Sequence, residues 1–348
     1  MDQGADGHGA DRRDDDARRA GSRWVGALLW VMAIAVMLAA AVHQRRTGPT
    51  HPFRGELAVA GDTTAFRLIR SEETTRDARV VVPVPEDAGA EGSLEFRRYP
   101  TDDPFTTVPM AREADSLVAS LPAQPAAGKL EYRAEVRLAG DTVRIPGDYV
   151  DDPDTAAERQ QTSAAPGTAA GTGRTPAGAG PAAGDGPETV IIRFRDPVPA
   201  GVLIPHVLFM FFAILVGVRA GLAAVVGRPG TRRYAWVAVG LMTVGGMILG
   251  PIVQKHAFDA FWTGWPLGHD LTDNKTLIMW LVWVVACAVL GRRTQPRHRE
   301  RAARAVVVVA TVVMLVVYLV PHSLRGSQLD YSRLDDGVNP EEAIGTGR

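Results

Sequence analysis

The chain has 348 residues, a formal net charge of −1 and a single cysteine, Cys287. The near-neutral charge gives no support for a nucleic-acid partner, because proteins of that class carry an excess of basic residues. One cysteine excludes an intrachain disulfide framework and any CxxC metal or redox motif.

The chain opens with a charged leader, residues 1–23, followed by an apolar run at residues 24–42. This run, WVGALLWVMAIAVMLAAAV, is close to the ~20 residues that a helix needs to cross a bilayer. We expect a disordered, cytoplasmic leader and a membrane-spanning signal anchor. A cleaved signal peptide is the alternative, since AVMLAAAVHQ offers small residues near the end of the run. The length of the leader and its acidic residues favour the uncleaved anchor.

Residues 51–198 have the pattern of an all-β domain. In KLEYRAEVRL, apolar and charged side chains alternate, which indicates an antiparallel strand with one buried face. About seven short runs of this kind, separated by Pro, Gly and Asp, predict a β-sandwich. Residues 151–187 are mostly Ala, Gly, Pro, Thr and Ser. They contain too little apolar bulk to offset the entropy of ordering, and we expect a disordered insertion there.

Residues 201–322 predict a membrane domain of four helices. The apolar runs are approximately residues 202–226, 234–253, 276–290 and 305–320. The last two are short and need a flanking turn or a locally thinner bilayer. GxxxG motifs at Gly217/Gly221 and Gly246/Gly250 permit close packing, within the chain or in a homo- or hetero-oligomer. The predicted fold is therefore multi-domain: an all-β extracytoplasmic sandwich joined to an α-helical membrane bundle, with five transmembrane helices in total.

The basic residues predict the orientation of these spans. Arginine-rich segments precede the first span, separate the second from the third, and separate the fourth from the fifth as RRTQPRHRERAAR. If all five runs cross the lipid bilayer, these segments lie on one side, which should be the cytoplasm. The N-terminus is then cytoplasmic. Residues 51–198, the 254–275 connection and a tail at 323–348 lie outside a bacterial cytoplasmic membrane.

This orientation brings polar groups together near the outer membrane face. Four candidate haem or metal ligands converge there from different segments: His206, His256, His269 and His322. Histidines on facing helices are what haem or a transition metal requires in a bundle. The candidate supporting groups around such a site are Asp259, Asp270, Asp273, Lys255 and Lys275.

Each of these groups also has a structural interpretation. An interfacial histidine need not bind anything, and Lys255 and Asp259 have the i,i+4 spacing of a helical ion pair. Thr272 or Asp273 is placed to cap the fourth span. Gly and Pro force WTGWPLGHD into a loop, whose Trp262 and Trp265 fit the aromatic belt of a membrane interface.

Two parts of the chain resemble known families. The stretch LPAQPAAGKLEYRAEVRLAGDTVRI resembles immunoglobulin-like and fibronectin-III-like modules, where a proline-rich turn leads into a Tyr-bearing strand. This resemblance implies a module that binds or spaces other molecules. The segments PHVLFMFFAILVGVRAGL, GPIVQKHAFDAFWTGWPLGHDLTDNKTL and VPHSLRGSQLDYS resemble a family of bacterial integral membrane proteins to which no activity is assigned. That resemblance implies a topology and outer segments that form one site.

Two function hypotheses follow. The first is a non-enzymatic envelope protein whose extracytoplasmic sandwich binds or senses a protein or another envelope ligand. The alternative is a membrane redox protein that holds haem or a transition metal through the outer histidines. A transporter is less favoured, because the spans are few and no inverted repeat is apparent. The chain contains no GxxxxGK[ST], GxSxG, GxGxxG or HExxH motif to support a nucleotide-binding, hydrolase or zincin function.

Overall fold

A computed structural model describes residues 7–59, 62–85, 89–138, 141–147, 188–291, 296–320 and 327–345. The predicted insertion at 151–187 and the candidate ligand His322 lie outside these residues. The chain divides into two compact units. The helical unit comprises Met1–Arg45, Ala200–Val253 and Asp273–Val320, and the β unit comprises Arg46–Pro199, Gln254–Thr272 and Pro321–Arg348.

Five helices are long and apolar enough to cross a membrane. These candidate spans are Arg23–Thr47, Ala200–Val226, Thr231–Phe258, Leu271–Leu290 and Arg299–Leu319. They lie in helices α1 (Gly7–Thr47), α2 (Ala200–Val226), α3 (Thr231–Met242) with α4 (Gly250–Phe258), α5 (Leu271–Leu290) and α6 (Arg297–Leu319). Helices α5 and α6, which contain the fourth and fifth candidate spans, begin before their predicted apolar runs. The added turns lengthen two spans that the runs alone left short.

The first helix begins within the leader that we predicted to be disordered. Helix α1 starts at Gly7 and continues without a break into the apolar run. The leader contains several Ala and Arg residues, which have high helix propensity. It also continues an existing helix, so it does not bear the cost of nucleation. Helix α1 therefore includes residues 7–23 of the leader, whose disorder stays a prediction.

The third span changes its helical geometry in the middle. A π-helix, Thr243–Leu249, joins α3 to α4, and Pro251 lies in the first turn of α4. Proline has no N–H, so the preceding turn loses one ladder hydrogen bond. Separately, the Gly245 carbonyl accepts hydrogen bonds from the Gly250 N–H and from His206 Nδ1 on α2, the latter at 2.8 Å.

The GxxxG motifs are used within the helical unit. A Cβ atom added to Gly221 would lie 2.5 Å from Thr311 Oγ1, and one added to Gly217 would lie 2.8 Å from Met314 Cε. A Cβ on Gly246 would lie 2.8 Å from Thr276 Cγ2. These contacts join α2 to α6 and the third span to α5. The three glycines are therefore used in packing within the chain and are not available to the predicted oligomer interface.

The strands between residues 53 and 195 of the β unit form two sheets and a hairpin. The hairpin pairs β1 (Phe53–Val59) with β2 (Asp62–Leu68). The larger sheet has the order β3 (Ser71–Glu73), β11 (Val190–Arg195), β9 (Lys129–Leu138), β5 (Glu91–Arg98) and β6 (Thr106–Pro109), with β10 (Asp141–Ile145) also paired to β9. The smaller sheet has the order β4 (Ala78–Pro83), β8 (Ser116–Leu121) and β7 (Ala111–Glu113). Only β3 and β11 run parallel in these pairings of the described residues.

One hydrophobic core joins the hairpin and both sheets. Its members include Leu57 from β1, Val80 from β4, Leu94 from β5, Leu121 from β8 and Phe194 from β11. The alternation in β9 is confirmed, since its apolar side chains from Leu130 to Leu138 are all buried. Eleven strands are described between residues 53 and 195, more than the seven predicted. Edge strands of three or four residues are too short to show alternation.

The C-terminal segment belongs to the β unit. It forms β12 (Gln328–Leu329), α7 (Tyr331–Asp335) and β13 (Ile344–Gly345). The buried Tyr331 hydroxyl accepts a hydrogen bond from the Lys129 N–H at 3.0 Å and donates to the Lys129 carbonyl at 2.9 Å. Arg98 also pairs with Asp335 at 2.7 Å. The segment predicted as a tail is therefore anchored on β9 and β5.

Candidate functional site

A polar network lies inside the β unit, where the 254–272 connection meets the C-terminal segment. The Asp270 carboxylate accepts hydrogen bonds from the backbone N–H groups of Ser327 at 3.0 Å and Thr272 at 2.7 Å. The hydroxyls of Ser327 and Thr263 are 3.3 Å apart, and Arg193 on β11 donates to the Ser327 carbonyl at 2.6 Å. We refer to Arg193, Thr263, Asp270 and Ser327 as the Asp270 network. It ties three distant parts of the chain together.

Asp270 caps the fourth span and lies just before the predicted capping residues, Thr272 or Asp273. Helix α5 begins at Leu271, and the bond from Asp270 to the Thr272 N–H satisfies one of the free donors at that end. Asp273 lies inside the first turn and is buried. The helix starts one turn earlier than the apolar run indicated, which moves the capping position from residue 272 or 273 to residue 270.

A small pocket next to this network is lined mostly by basic side chains. Its cavity volume is about 170 Å³. The described residues that line it include four basic side chains and no acidic one: Arg70, Lys129, Arg193 and Arg195. Tyr99 and Phe258 supply apolar walls, and the Arg193 guanidinium lies over the Phe258 ring at 4.2 Å. We call this cavity the basic pocket.

Strand pairing places two of these cations opposite each other. Lys129 of β9 and Arg193 of β11 are direct partners in the antiparallel register. Burial, together with the neighbouring Arg193 charge, lowers the pKa of Lys129 to about 8. Burial also lowers the pKa of Arg193 to about 10, although the charge of Asp270 opposes this shift. Both cations are therefore held in surroundings that disfavour their charged forms.

The structure does not gather the predicted histidines into one described site. His206 lies in α2 of the helical unit, whereas His256 and His269 are exposed residues of the β unit. Among the described residues, no group of three or more His, Cys, Asp or Glu side chains is arranged to hold a metal ion.

The predicted supporting groups mostly have structural partners. Lys255 in α4 pairs with the carboxylate of Asp259, the residue that follows this helix, as the i,i+4 alternative predicted, and also donates to the Asp259 carbonyl at 3.1 Å. Lys275 is buried in α5 and donates to the Val320 carbonyl. Asp270 belongs to its own network. Asp259 and Lys275 are therefore held by contacts that need no metal.

The loop between the third and fourth spans presents apolar side chains to its surroundings. Trp262 donates from its indole N–H to the Trp265 carbonyl at 3.1 Å. Phe261, Trp265 and Leu267 have exposed fractions of 59%, 65% and 69%. Large exposed side chains at the end of a candidate span have the composition of an interfacial aromatic belt.

His206 permits a direct test of its role. Replacing His206 with Leu removes the hydrogen bond to the Gly245 carbonyl, and such bonds between membrane helices contribute roughly 0.6 and at most about 1.7 kcal/mol. We expect a loss of stability within that range in a detergent-unfolding titration, with no change in optical spectrum or metal content. A Soret band or stoichiometric metal that is present in the wild type and lost in His206→Leu would contradict the structural role.

Sequence reasoning missed Arg193, Ser327 and Thr263. Arg193 and Arg195 alternate with Ile and Phe in VIIRFR, so they looked like the solvated face of an ordinary strand. The signal that could have drawn attention to Lys129 is that it is one of only three lysines in the chain. Its pairing with Arg193, however, depends on a strand register that spans a long insertion.

The fold and the site define a class: a chain whose five apolar helices are compatible with a multi-pass membrane protein, combined with a β-rich unit. No protein-family model, curated protein or solved structure matches the chain.

Proposed function

We propose that the protein is a non-enzymatic envelope protein of a bacterial cytoplasmic membrane, with a β unit outside the membrane that binds or senses a partner. The resemblance of residues 121–145 to immunoglobulin-like and fibronectin-III-like modules supports a binding role. In this proposal the two sheets with their shared core form the sandwich, and the membrane half belongs to the bacterial family that its segments resemble.

The proposal rests chiefly on which segments of the chain fold together in the β unit. The chain passes between the two units five times, after residues 45, 199, 253, 272 and 320. The segments 46–199, 254–272 and 321–348 all belong to the β unit. These are the segments that five alternating spans place on one side of a membrane. A unit built from all three therefore supports alternation of the spans.

The basic residues support the assignment of that side to the outside. Arg228, Arg232 and Arg233 lie between the second and third spans, and Arg299 and Arg301 lie at the start of α6. All of them belong to the segments left on the opposite side. Short loops rich in arginine remain in the cytoplasm.

The haem or metal alternative has less support. Candidate ligands His256 and His269 are exposed, and Nδ1 of His206 is bonded to a backbone carbonyl. His322 lies outside the described residues, so its part in such a site stays a prediction. The metal content and optical spectrum of the purified protein test this alternative directly.

Cysteine labelling tests the proposed function. Cys287 is the single cysteine and is buried, so Cys287→Ala gives a background without thiols. In that background, Ser120→Cys places a thiol at an exposed position of β8, and Ala302→Cys places one at an exposed position of α6. We expect a membrane-impermeant maleimide to label residue 120 in intact spheroplasts. Residue 302 should label only after permeabilisation.

The same labelling tests for a partner. Additional thiols at exposed positions 102 and 137 sample other faces of the β unit. A bound partner predicts that at least one position reacts more slowly in cells than in purified protein. Equal rates at every position would contradict partner binding, and labelling of residue 302 in intact cells would contradict the orientation.

A further inference from the structure

We propose that the basic pocket of the β unit binds a phosphate group, carried by an anionic phospholipid headgroup or by a soluble phosphate-bearing ligand. This inference rests on the proposed function, because it names the chemistry of what the β unit binds. Its chemical basis is that Lys129 and Arg193 lie opposite each other, and that the charged side chains among the described residues lining the pocket are all basic.

The strand register makes this cluster costly without an anion. Lys129 and Arg193 are directly opposite on β9 and β11, and like charges in that arrangement destabilise a sheet. Arg195, two residues along β11 from Arg193, and Arg70, just before β3, line the same cavity. An oxyanion between these side chains would convert the repulsion into charge-assisted hydrogen bonds.

Arg193 and Lys129 have N–H groups that could donate hydrogen bonds to such a ligand. Arg193 uses one terminal nitrogen on the Ser327 carbonyl, while its buried Nε has no hydrogen-bond partner among the described residues. Lys129 donates to the neutral Gln328 side chain at 3.3 Å, which supplies no negative charge. A buried guanidinium N–H without an acceptor is costly, and a phosphate oxygen is an acceptor that arginine binds in a bidentate manner.

Nearby carboxylates are committed to other partners. Asp270, whose charge acts on Arg193, accepts hydrogen bonds from two backbone N–H groups. Glu72 on β3 pairs with Arg76, and Glu131 on β9 pairs with Arg97. These three groups do not line the pocket. Asp270 therefore acts on Arg193 without lining the pocket, and the charged side chains among the described lining residues are all basic.

The size and place of the pocket favour a phosphate group over a larger molecule. Small-molecule sites usually enclose roughly 300–1,000 Å³, whereas this cavity has about 170 Å³. Pro49 and Thr50 of its lining follow the candidate span that ends at Thr47, and Phe258 is the last residue of another span. Chain connectivity therefore keeps the lining within a few residues of two span ends, where phospholipid headgroups lie.

Thermal unfolding of the purified full-length protein in a neutral detergent tests the proposal. Inorganic phosphate is titrated at constant ionic strength, with chloride as the balancing anion. We expect phosphate to raise the Tm of the wild type in a saturable manner, because a ligand that binds only the folded state stabilises it. Lys129→Gln should weaken the apparent phosphate affinity by about 10- to 100-fold, as expected for loss of one charged hydrogen bond.

A second arm separates the two sources of phosphate. The wild type and Lys129→Gln are placed in nanodiscs of phosphatidylcholine, with or without phosphatidylglycerol, in phosphate-free buffer. A headgroup ligand predicts that phosphatidylglycerol raises the Tm of the wild type more than that of Lys129→Gln. A soluble ligand predicts a response to inorganic phosphate alone.

Arg137→Gln is the matched control, because Arg137 is an exposed residue of the same strand β9 and the change in charge is identical. It should respond to phosphate and lipid as the wild type does. A folding defect is distinguished by the Tm without ligand, which Lys129→Gln should leave unchanged or raise, since a buried like-charge contact is removed. The proposal is overturned if neither phosphate nor phosphatidylglycerol raises the wild-type Tm, or if Lys129→Gln and Arg137→Gln respond alike.

The phosphate site and the proposed function can fail independently. Cysteine labelling reports orientation and partner contact without any added ligand. If residue 120 is labelled from outside but phosphate does not raise the Tm, only the phosphate site is refuted. If phosphate raises the Tm but labelling places the β unit on the cytoplasmic side, the phosphate site is kept and the envelope proposal is refuted.

Discussion

Replacing Asp270 with Ala is expected to lower the free energy of unfolding of the β unit by about 2–4 kcal/mol. The substitution removes the cap of α5, which is worth about 1 kcal/mol, and leaves the buried Ser327 N–H without an acceptor, which costs a further ~1–3 kcal/mol. It also takes away the negative charge that acts on Arg193. Few single substitutions outside the hydrophobic core of this unit should cost as much.

Hydrogen–deuterium exchange locates the effect. We expect faster exchange in peptides that cover residues 263–272 and 327–331, together with a lower Tm. Asp102→Ala is the control, since Asp102 is an exposed aspartate of the same unit, and such surface changes usually fall within about 0.5 kcal/mol. Asp270→Asn should cause an intermediate loss of stability. Its amide oxygen can still accept one of the two backbone hydrogen bonds, but its NH₂ group faces the other N–H donor. Equal exchange in Asp270→Ala and Asp102→Ala would show that the network contributes little.

The parts of the fold that follow local chemistry could be predicted from the sequence. A strand such as β9 shows its buried face in the alternation of single residues, and Leu130, Tyr132 and Val136 are buried as expected. The five apolar runs correspond to the five candidate spans, because span length is fixed by bilayer thickness and side-chain polarity. The i,i+4 pair of Lys255 and Asp259 also follows from spacing alone.

The set of chain segments that make up the β unit could not be predicted in this way. Tyr331 and its partner Lys129 are separated by 202 residues, and Ser327 and Asp270 by 57. No periodicity reports that such segments meet, because these contacts depend on the packing of segments that lie far apart in the chain. The same limit explains the histidines. A common predicted depth says nothing about side-chain direction, and His256 and His269 are exposed.

The second large effect is expected in the helical unit, at the crossing of α2 and α6. Gly221→Ala should lower stability by about 1–3 kcal/mol, the usual cost of overpacking. The new Cβ would lie 2.5 Å from Oγ1 and 2.7 Å from Cγ2 of Thr311. A Cβ atom is fixed by the backbone and Thr311 is branched at its own Cβ, so neither group can rotate fully away. The two helices must separate, and the change is measured by detergent-unfolding titration.

Three further variants decide whether this close approach is the cause. Gly240→Ala in α3 is the control, because a Cβ there meets nothing within 4 Å among the described residues, and Ala is the better helix former. Gly217→Ala should cost less than Gly221→Ala, since the nearest atoms belong to the flexible end of Met314. Thr311→Ala should restore part of the stability of Gly221→Ala, because it removes the atoms that the new Cβ would meet. If the double substitution is as unstable as the sum of the single ones, the helix contact is not the source of the effect, and the glycine at position 221 is required for another reason.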